Sequence, residues 1–223
     1  MSKELHQVTH IVRYLGHSLK LTGVGSDTQT SAWKQGRFYE AELLHEIARL
    51  KRAGVYVDVG ANFGNHSVFF NRFCPSERVI SVEPFPEALV ALQINLARHV
   101  KEKSTLIQKL ISDHTGKASM FKTSASPGSA RVKEYDKGDV EVDTLDNVLT
   151  GVKDIAVMKL DVEGAGVLAL RGASTVLSEH KPVVIAECFR TNEFRDTDAV
   201  LKQFGYTTDG KNWCASRTCI WMP

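Results

Sequence analysis

The sequence lacks an excess of charge of either sign. Its 223 residues include 28 Lys plus Arg and 26 Asp plus Glu, which gives a formal net charge of +2. Such a balance provides no overall field that attracts nucleic acid, and only a local basic patch would do so. Hydrophobic residues make up 43% of the chain and charged residues 24%. These values are typical of a globular protein and exclude a disordered or collagen-like chain.

Long apolar segments are also missing. No stretch reaches the roughly 18 uninterrupted apolar residues that a membrane-spanning helix requires. The first residues, Met1 to Gln7, contain no apolar core of a secretory signal. We therefore expect a cytoplasmic protein that does not associate with membranes.

Cysteine pairs and zinc-type patterns are absent as well. The four cysteines form no Cys-x-x-Cys pair, and no histidine cluster has the spacing of a zinc site. In a reducing cytoplasm we expect all four to be free thiols, namely Cys74, Cys188, Cys214 and Cys219. A hard cation would need several acids to converge, and the candidates are Asp143, Asp146, Asp161 and Glu163. Their spacing does not demand a metal, and we predict no metal ligand.

Short apolar runs alternate with helical patterns along most of the chain. This alternation predicts right-handed βαβ crossovers and a mostly parallel sheet with helices on both faces. Strands are predicted at 55–59, 78–82, 105–111, 155–160, 183–188, 204–208 and 217–221, and helices at 38–52, 64–73, 86–99, 144–149, 163–178 and 194–203. The turn at Asp209-Gly210 joins the last two strands into an antiparallel hairpin at the sheet edge.

The amino-terminal part is set apart from this pattern. Apolar residues at helical spacing predict a helix over 4–20, and a Gly/Ser/Thr-rich loop follows over 21–37. We expect a single domain over 1–223, in which a helical extension (1–37) precedes the core (38–223). Within the core, 117–122 is predicted as a short strand, and 124–138 is predicted as a mobile surface loop.

A glycine turn follows the first core strand. Gly60 and Gly64 permit a tight turn and close backbone approach, which a turn without any ligand also requires. Their four-residue spacing differs from the dinucleotide fingerprint, and no Gly-Lys-Ser/Thr follows, so this is not a phosphate loop. Asp58 at the mouth of the strand would repel a pyrophosphate. It favours a ligand with positive charge, such as an α-amino group and a sulfonium centre.

An acid also ends the second core strand. Glu83 lies about 20 residues beyond the glycine turn, where a carboxylate accepts hydrogen bonds from both hydroxyls of a ribose. A ribose combined with a cationic amino-acid tail describes S-adenosylmethionine, and S-adenosylhomocysteine is then the product. The two acids together predict a nucleotide-type site at this edge of the sheet.

Several motifs make the chain resemble the FkbM family of S-adenosylmethionine-dependent methyltransferases. They lie between about residues 36 and 190 and include Asp58-Val-Gly-Ala-Asn-Phe-Gly-Asn-His-Ser67, Val82-Glu-Pro-Phe-Pro86, Ser112-Asp113 with Gly116, Val142-Asp-Thr-Leu-Asp146, Met158-Lys-Leu-Asp-Val-Glu-Gly164 and Leu170-Arg-Gly-Ala173. The resemblance implies a Rossmann-like class I fold, with a seven-stranded, mostly parallel sheet and an antiparallel C-terminal strand. It also implies methyl transfer, most often to oxygen.

The resemblance further implies which residues contact the cofactor. The glycine turn and its motif are expected to contact the methionine part of the cofactor, and Glu83 its ribose. The end of the third strand and the segment after Glu83 are expected to contact the adenine. The end of the fourth strand is expected to lie beside the methyl group. The implied set is Tyr39, Glu40, Asp58, Gly60, Asn62, Gly64, Asn65, Ser67, Glu83, Pro84, Phe85, Ser112, Asp113 and Asp161.

The catalytic candidates are Lys159, Asp161 and Glu163. Methyl transfer needs an acceptor lone pair aligned with the methyl carbon, and a hydroxyl acceptor also needs a base. Asp161 and Glu163 straddle a strand end, but each has an alternative role: orienting the cofactor for Asp161, and favouring the helix N-terminus for Glu163. Lys159 either anchors an anionic acceptor or is simply solvated. Other candidate bases are His66, His114 and Glu187.

One position departs from the family pattern. The family usually continues Asp-Val-Glu-Gly-x-Glu, whereas this chain has Gly166 at the last position. The missing carboxylate puts in doubt any contact that it makes with substrate or metal in the family. Gly166 also costs about 1 kcal/mol of helix propensity relative to alanine.

The predicted function is O-methylation of a hydroxyl on a small molecule or glycan. The rivals are a nucleic-acid or protein methyltransferase on the same fold and a non-catalytic S-adenosylmethionine-binding protein. The net charge of +2 argues against nucleic acid, and acids interleave with the basic residues Arg131, Lys133 and Lys137. An NAD-dependent oxidoreductase is disfavoured by Asp58 and by the glycine spacing. The sequence leaves open whether the protein is a monomer or a homodimer.

Overall fold

The computed structural model describes residues 6–25, 27–122, 130–135, 137–162 and 164–223, with the backbone alone in 130–135. The strands are β1 (Gln7–Tyr14), β2 (His17–Val24), β3 (Gly54–Val59), β4 (Ser76–Val82), β5 (Ser104–Ile107), β6 (Leu110–Ile111), β7 (Gly116–Lys122), β8 (Ala130–Tyr135), β9 (Val140–Asp143), β10 (Ile155–Leu160), β11 (Val183–Glu187) and β12 (Thr218–Trp221). The helices are α1 (Thr28–Lys34), α2 (Ala41–Arg49), α3 (Asn65–Phe73), α4 (Pro86–His99), α5 (Leu145–Val148), α6 (Gly166–Arg171) and α7 (Thr191–Gln203). A 3₁₀ turn spans Lys101–Lys103 and a π-helical turn spans Val176–His180.

The central sheet has the strand order β12-β11-β10-β3-β4-β5. Its strands are parallel except β12, which runs antiparallel to β11. The core strands predicted at 55–59, 78–82, 155–160 and 183–188 are therefore confirmed, with ends that differ by at most two residues. No helix in the described part of the chain is long and apolar enough to cross a membrane. The four cysteine thiols are free.

The seven-strand prediction is wrong by one strand in the described residues. The segment predicted as a strand at 204–208 contributes only one antiparallel bridge, between Thr207 and Met222. Side chains then draw the backbone into a turn. Thr208 Oγ1 accepts the Gly210 N–H, and Asp209 Oδ1 accepts the Lys211 N–H. These local bonds compete with the ladder, so the strand does not extend beyond its first bridge.

Helices cover both faces of the sheet, as predicted. One apolar cluster joins Tyr56 of β3 to α2, α3 and α4, and the other joins Val57 of β3 to α5, α6 and α7. Because neighbouring strand residues point to opposite faces, both clusters reach the same central strand. All six residues of β3 are buried, which is typical of a parallel strand in the middle of a doubly covered sheet.

The amino-terminal segment is a β-hairpin, so the predictions of a helix over 4–20 and a loop over 21–37 are wrong. β1 and β2 pair antiparallel around the turn residues Leu15 and Gly16, which both have positive φ (46° and 79°). Alternate residues of β1 are more buried, and Val12 is fully buried. This period of two identifies a half-buried strand. The Asp27 side chain then caps α1.

Asn95 of α4 attaches this hairpin to the glycine turn. Its Nδ2 atom donates to the carbonyl oxygens of Thr22 and Phe63, both at 2.7 Å, and its Oδ1 atom accepts the Thr22 N–H at 2.9 Å. Asn95 is fully buried. The hairpin therefore shares one core with the turn that shapes the site.

The predicted third strand, 105–111, is divided between two sheets. β5 ends the central sheet, whereas β6 belongs to a four-stranded sheet of order β6-β9-β7-β8. The strand predicted at 117–122 is β7. The loop predicted at 124–138 is wrong for 130–135, because β8 pairs antiparallel with β7 there. Residues 123–129 and 136 lie outside the described residues.

The helix predicted over 163–178 is interrupted at Gly172. A Cβ atom placed on Gly172 would lie 2.2 Å from the carbonyl oxygen of Ser112. The backbone at Gly172 therefore lies so close to the backbone at Ser112 that no side chain fits between them. α6 ends at Arg171, and a π-helical turn continues from Val176. Glu163, at the start of the predicted helix, lies outside the described residues.

Replacing Gly166 by alanine is expected to stabilise the protein. Gly166 begins α6, and a Cβ atom there would meet only the Glu187 carbonyl oxygen, at 3.9 Å. Because alanine loses less backbone entropy on folding, we expect about 0.4–1 kcal/mol of added stability in urea unfolding. Gly164→Ala is the matched control, since Gly164 has open space but a φ of 78° and should lose stability. A lower midpoint for Gly166→Ala at unchanged slope would contradict this reasoning.

Candidate active site

Four neighbouring strands of the central sheet bring polar side chains to one edge. β3, β4, β10 and β11 are parallel, so their carboxyl ends meet there. The register places Asp58 beside both Lys159 and Ser81. In open α/β sheets this edge is where ligands bind. We call the group Glu40, Asp58, Glu83, Lys159, Asp161 and Glu187 the acidic crevice.

The backbone of the glycine turn lies close to the backbone at the end of β10. Gly60 has a φ of 78°, and a Cβ atom on it would lie only 1.9 Å from the Asp161 carbonyl oxygen. Gly64 has a φ of 86°, and its Cβ atom would lie 2.8 Å from Leu92 Cδ1. Asn62 between them also has a positive φ, 48°. Glycine is therefore required at 60 for a close approach of two strands, whether or not a ligand is bound.

Asp58 is completely buried below this turn. Its Oδ2 atom accepts a hydrogen bond from Ser67 Oγ at 2.6 Å, and Ser67 Oγ lies 2.7 Å from Ser81 Oγ. Its Oδ1 atom accepts no hydrogen bond from the residues that the structure describes, and it lies 3.7 Å from Lys159 Nζ. Ser67 thus contacts Asp58 from the first turn of α3.

Lys159 is buried, which differs from the solvated alternative that the sequence left open. Only 3% of its side chain is exposed, and its Nζ atom lies 3.0 Å from Asp161 Oδ2. Burial alone would lower the lysine pKa, but the charges of Asp161, Asp58 and Glu40 outweigh it and raise the pKa above its usual range. Lys159 is therefore a fixed cation at the centre of the acidic crevice.

Asp161 and Glu187 have strongly separated pKa values. Burial acts to raise the pKa of Asp161, but the Lys159 charge and hydrogen bonds from Glu187 and Lys159 lower it to about 2. Burial and the neighbouring Asp161 raise the pKa of Glu187 to about 9. The opposite shifts place the negative charge of the pair on Asp161.

Glu83 lies at the tip of β4 and binds the glycine turn. Its Oε2 atom accepts the Asn62 N–H and its Oε1 atom accepts the Phe85 N–H, both at 2.8 Å. Burial raises the Glu83 pKa to about 7, with smaller contributions from Asp58 and Asp161, although the two backbone donors act in the opposite direction. Each oxygen retains a lone pair for a further donor.

Tyr39 and Glu40, which are expected to border the cofactor, lie beside the other acids of the crevice. Glu40 Oε2 lies 3.1 Å from His66 Nε2, and both side chains are buried. Burial acts to raise the Glu40 pKa, but the proximity of His66 outweighs it and lowers the pKa. The pKa of Tyr39 is raised by burial and by the nearby Glu40, Asp161 and Glu187. Tyr39 is therefore a neutral phenol among acids.

Asn65 fixes the lead-in segment to α3. Its Oδ1 atom accepts the Trp33 Nε1–H at 2.9 Å and the Tyr39 N–H at 3.0 Å, and its Nδ2 atom donates to the Tyr39 carbonyl oxygen. Its side chain is fully buried. These bonds give Asn65 a role in holding Tyr39 at the crevice.

Ser112 and Asp113 follow β6 and not the end of the central strand β5, so their predicted place at the end of a central third strand is wrong. The chain leaves the central sheet after Ile107, which moves both residues to the second sheet. Ser112 Oγ lies 3.3 Å from Asp113 Oδ1, which lies 2.9 Å from His114 Nδ1. The hydrogen bond from His114 lowers the Asp113 pKa. Pro84 is half-buried directly after Glu83.

Two of the acids considered for a metal, Asp143 and Asp146, accept hydrogen bonds from other protein groups. Asp143 accepts a hydrogen bond from Lys109 Nζ at 2.7 Å. Asp146 accepts bonds from Ser174 Oγ and from the N–H groups of Thr175 and Val176. Within the described residues, no group of three or more His, Cys, Asp or Glu side chains is arranged to hold a metal ion.

Sequence reasoning missed two site residues in the segment before β12. Cys214 lies beside Glu40, and burial together with the Glu40 charge raises the pKa of its thiol. Ser216 lies beside Glu187. Both lie some 26 residues or more from the nearest predicted site motif, and no local pattern marks them. Only the antiparallel return of β12 beside β11 brings them to the crevice.

Comparison with known proteins agrees with this geometry. A crystal structure of methyltransferase FkbM from Methylobacillus flagellatus superposes with a TM-score of 0.59 at 21% identity, over 77% of this chain and 44% of the other. The chain thus spans less than half the length of that protein. A T. thermophilus 16S rRNA N2 G1207 methyltransferase, solved in complex with AdoMet and guanosine, gives 0.54 at 13% identity, over 98% and 50% of the two chains. These likenesses define the Rossmann-like methyltransferase fold.

Sequence comparison identifies the family within this class of methyltransferases. The family model described as the methyltransferase FkbM domain matches residues 58–208, which is more than half of the chain. The chain belongs to the FkbM family of methyltransferases, and the suspected family is confirmed. The methyltransferase sdnD of Sordaria araneosa is 24% identical over 208 aligned positions, covering 76% of this chain and 80% of the relative.

Proposed function

We propose that this methyltransferase uses S-adenosylmethionine and methylates a hydroxyl on a small molecule or glycan. The observation that carries the proposal is the acidic crevice itself. Asp161 and Glu40 have lowered pKa values, while Lys159 is the cation buried among them. A crevice with this charge favours a cationic donor and disfavours a phosphate-rich ligand.

The residues present fit this cofactor, which supplies a methyl group activated on a sulfonium centre when it is bound. The buried Asp58 Oδ1 accepts no hydrogen bond from the described part of the chain. Glu83 has lone pairs for two ribose hydroxyls. The backbone at Gly60, Asn62 and Gly64 would line the methionine part, with Asn65 and Ser67 holding the turn. For the adenine we retain Pro84, Ser112 and Asp113 as proposed contacts, with S-adenosylhomocysteine as the product.

The charge distribution also supports a hydroxyl acceptor. An anionic acceptor would meet the ionised Asp161, and the neighbouring Lys159 is already bound to Asp161 and Asp58. We therefore assign Lys159 to holding these carboxylates in place of anchoring an acceptor. Asp161 is the proposed group that receives or orients the hydroxyl proton. Glu163 keeps its predicted role as an alternative base.

Calorimetric titration with S-adenosylmethionine tests the donor. We expect saturable binding by the wild type, and weaker binding by Glu83→Ala of about 1.5–3 kcal/mol, the range for hydrogen bonds to a charged group. Since an ionised carboxylate is the stronger acceptor, the wild-type affinity should rise with pH through about 7, where Glu83 loses its proton. Glu83→Gln should remove this pH dependence.

Glu102→Ala is the matched control, because Glu102 is exposed. No binding by the wild type at millimolar ligand would exclude the proposed donor. Equal affinities for the wild type, Glu83→Ala and Glu102→Ala would remove the ribose role of Glu83.

The acceptor class is tested with radiolabelled donor and panels of sugars, phenols, carboxylic acids and RNA. An ether product resists mild alkali, whereas a methyl ester is hydrolysed. We expect alkali-stable label on a hydroxyl compound. Label on RNA, accompanied by a salt-sensitive gel shift, would establish the nucleic-acid alternative. Donor binding without transfer to any panel would favour a non-catalytic binding protein.

A further inference from the structure

Two carboxyl groups meet where the adjacent strands β10 and β11 end. Leu160 pairs with Ala186 in the parallel register, so the next residues, Asp161 and Glu187, lie side by side. Their side chains form a hydrogen bond with each other. Two ionised carboxylates have no donor between them, so this contact requires one shared proton.

The surroundings determine which carboxyl holds the proton. Lys159 Nζ lies 3.0 Å from Asp161 Oδ2 and stabilises the negative charge on Asp161. Ser216 lies beside Glu187 in the segment before β12, and Tyr39 lies near both acids from the lead-in segment. With the cation on the side of Asp161, the proton resides on Glu187. The raised pKa of Glu187, about 9, agrees with this placement.

We propose that Glu187 is a positioning residue that holds one proton against Asp161 and thereby limits the pair to a single negative charge. This inference rests on the proposed function. A second charge would repel an acceptor oxygen as it loses its proton, and it would strengthen the hold on a cationic donor. The protonated Glu187 avoids both effects and still fixes the orientation of Asp161.

Carboxyl ¹³C NMR titration of the ligand-free protein tests the shared proton. We expect one glutamate resonance to titrate near pH 9 in the wild type and to be missing in Glu187→Gln. Asp161→Asn should shift the Glu187 titration down toward its ordinary range. Glu179→Gln, at an exposed glutamate, is the matched control and should leave the high-pH titration unchanged. Wild-type titration of Glu187 near pH 4.5 would overturn the proposal.

A second measurement asks whether the charge of the pair reaches the ligand. S-adenosylmethionine is cationic at sulfur and S-adenosylhomocysteine is neutral, so their affinity ratio reports the local charge. In the wild type we expect this ratio to rise on the order of tenfold above pH 9, when Glu187 ionises. In Glu187→Gln the ratio should stay constant, and a rise in both proteins would overturn the proposal.

The two proposals fail in different ways. Absence of donor binding would end the proposed function, whereas the NMR titration decides the shared proton without any ligand. Glutamine retains an N–H donor toward Asp161, so an amide spectrum should show that Glu187→Gln is folded. If that variant does not fold, the wild-type and Asp161→Asn titrations still decide the outcome.

Discussion

Gly60→Ala should cost the protein on the order of 3–5 kcal/mol of folding stability and most of its affinity for S-adenosylmethionine. Two effects combine at this position. A φ of 78° strains any residue with a Cβ atom, and that atom would lie 1.9 Å from the Asp161 carbonyl oxygen. Because the obstacle is backbone, relief requires β3 and β10 to separate. Urea unfolding and calorimetric titration measure the two losses.

Gly151→Ala separates the effect of backbone strain from the effect of the steric clash with the Asp161 carbonyl oxygen. Gly151 has nearly the same φ, 77°, but no atom within 4 Å of an added Cβ atom. It should therefore lose only about 1–2 kcal/mol and bind the donor as the wild type does. Equal losses for the two variants would show that the approach of Gly60 to Asp161 has no energetic consequence.

Lys159→Met should have a similarly large effect on folding stability, of about 3–5 kcal/mol at neutral pH. Methionine has a similar size, so the loss comes from the charges left behind. Asp58 is completely buried, and Asp161 loses the ammonium 3.0 Å from its Oδ2 atom. Lys153→Met, at an exposed lysine, should change stability by less than about 0.5 kcal/mol. Unfolding midpoints at constant pH provide the comparison.

The pH dependence gives a separate signature of the same substitution. In the wild type the Asp161 pKa is about 2, below its ordinary 3.8. Its contribution is therefore present above about pH 4 and is lost as the pH falls toward 2. Without Lys159 the largest influence that lowers this pKa is lost, so less of the acid-sensitive contribution remains in the variant. The stability difference between the two proteins should therefore shrink as the pH falls from about 4 toward 2.

A double variant tests whether the remaining charge causes the loss. Lys159→Met combined with Asp58→Asn removes one of the stranded carboxylates, so part of the stability should return. A double variant that is less stable than the sum of its parts would contradict the charge explanation and indicate a packing defect.

The sequence predicted the site best where its signals are local. Asp58, Glu83 and Asp161 each follow a short apolar run that ends in a turn, and parallel strands bring such ends together. Residues that reach the crevice only through pairing of distant strands could not be predicted from local sequence patterns. Cys214 and Ser216 reach the crevice only because β12 returns antiparallel beside β11. Lys159 lies within the apolar run Ile155–Leu160, and its position between apolar neighbours indicates the burial that the structure shows.

The amino-terminal hairpin shows how an apolar pattern can mislead. The helical spacing over 4–20 depended on Ile11 and Leu15, which are 44% and 76% exposed in the structure. Although both side chains are apolar, neither belongs to a hydrophobic core. The turn at Leu15-Gly16 needs two positive φ values, and only the glycine at its second position indicated this in the sequence. The remaining alternation, with Val12 buried, follows the strand period.

The pairing of β3 with β10 has a consequence for folding kinetics. These two strands form the middle of the sheet, yet Val59 pairs with Leu160, about a hundred residues later along the chain. Closing so large a loop loses entropy before any contact compensates for it, so domains built on distant pairings fold slowly. The glycine turn meets the end of β10 through this pairing. We therefore expect the acidic crevice to assemble after the local hairpins and helices.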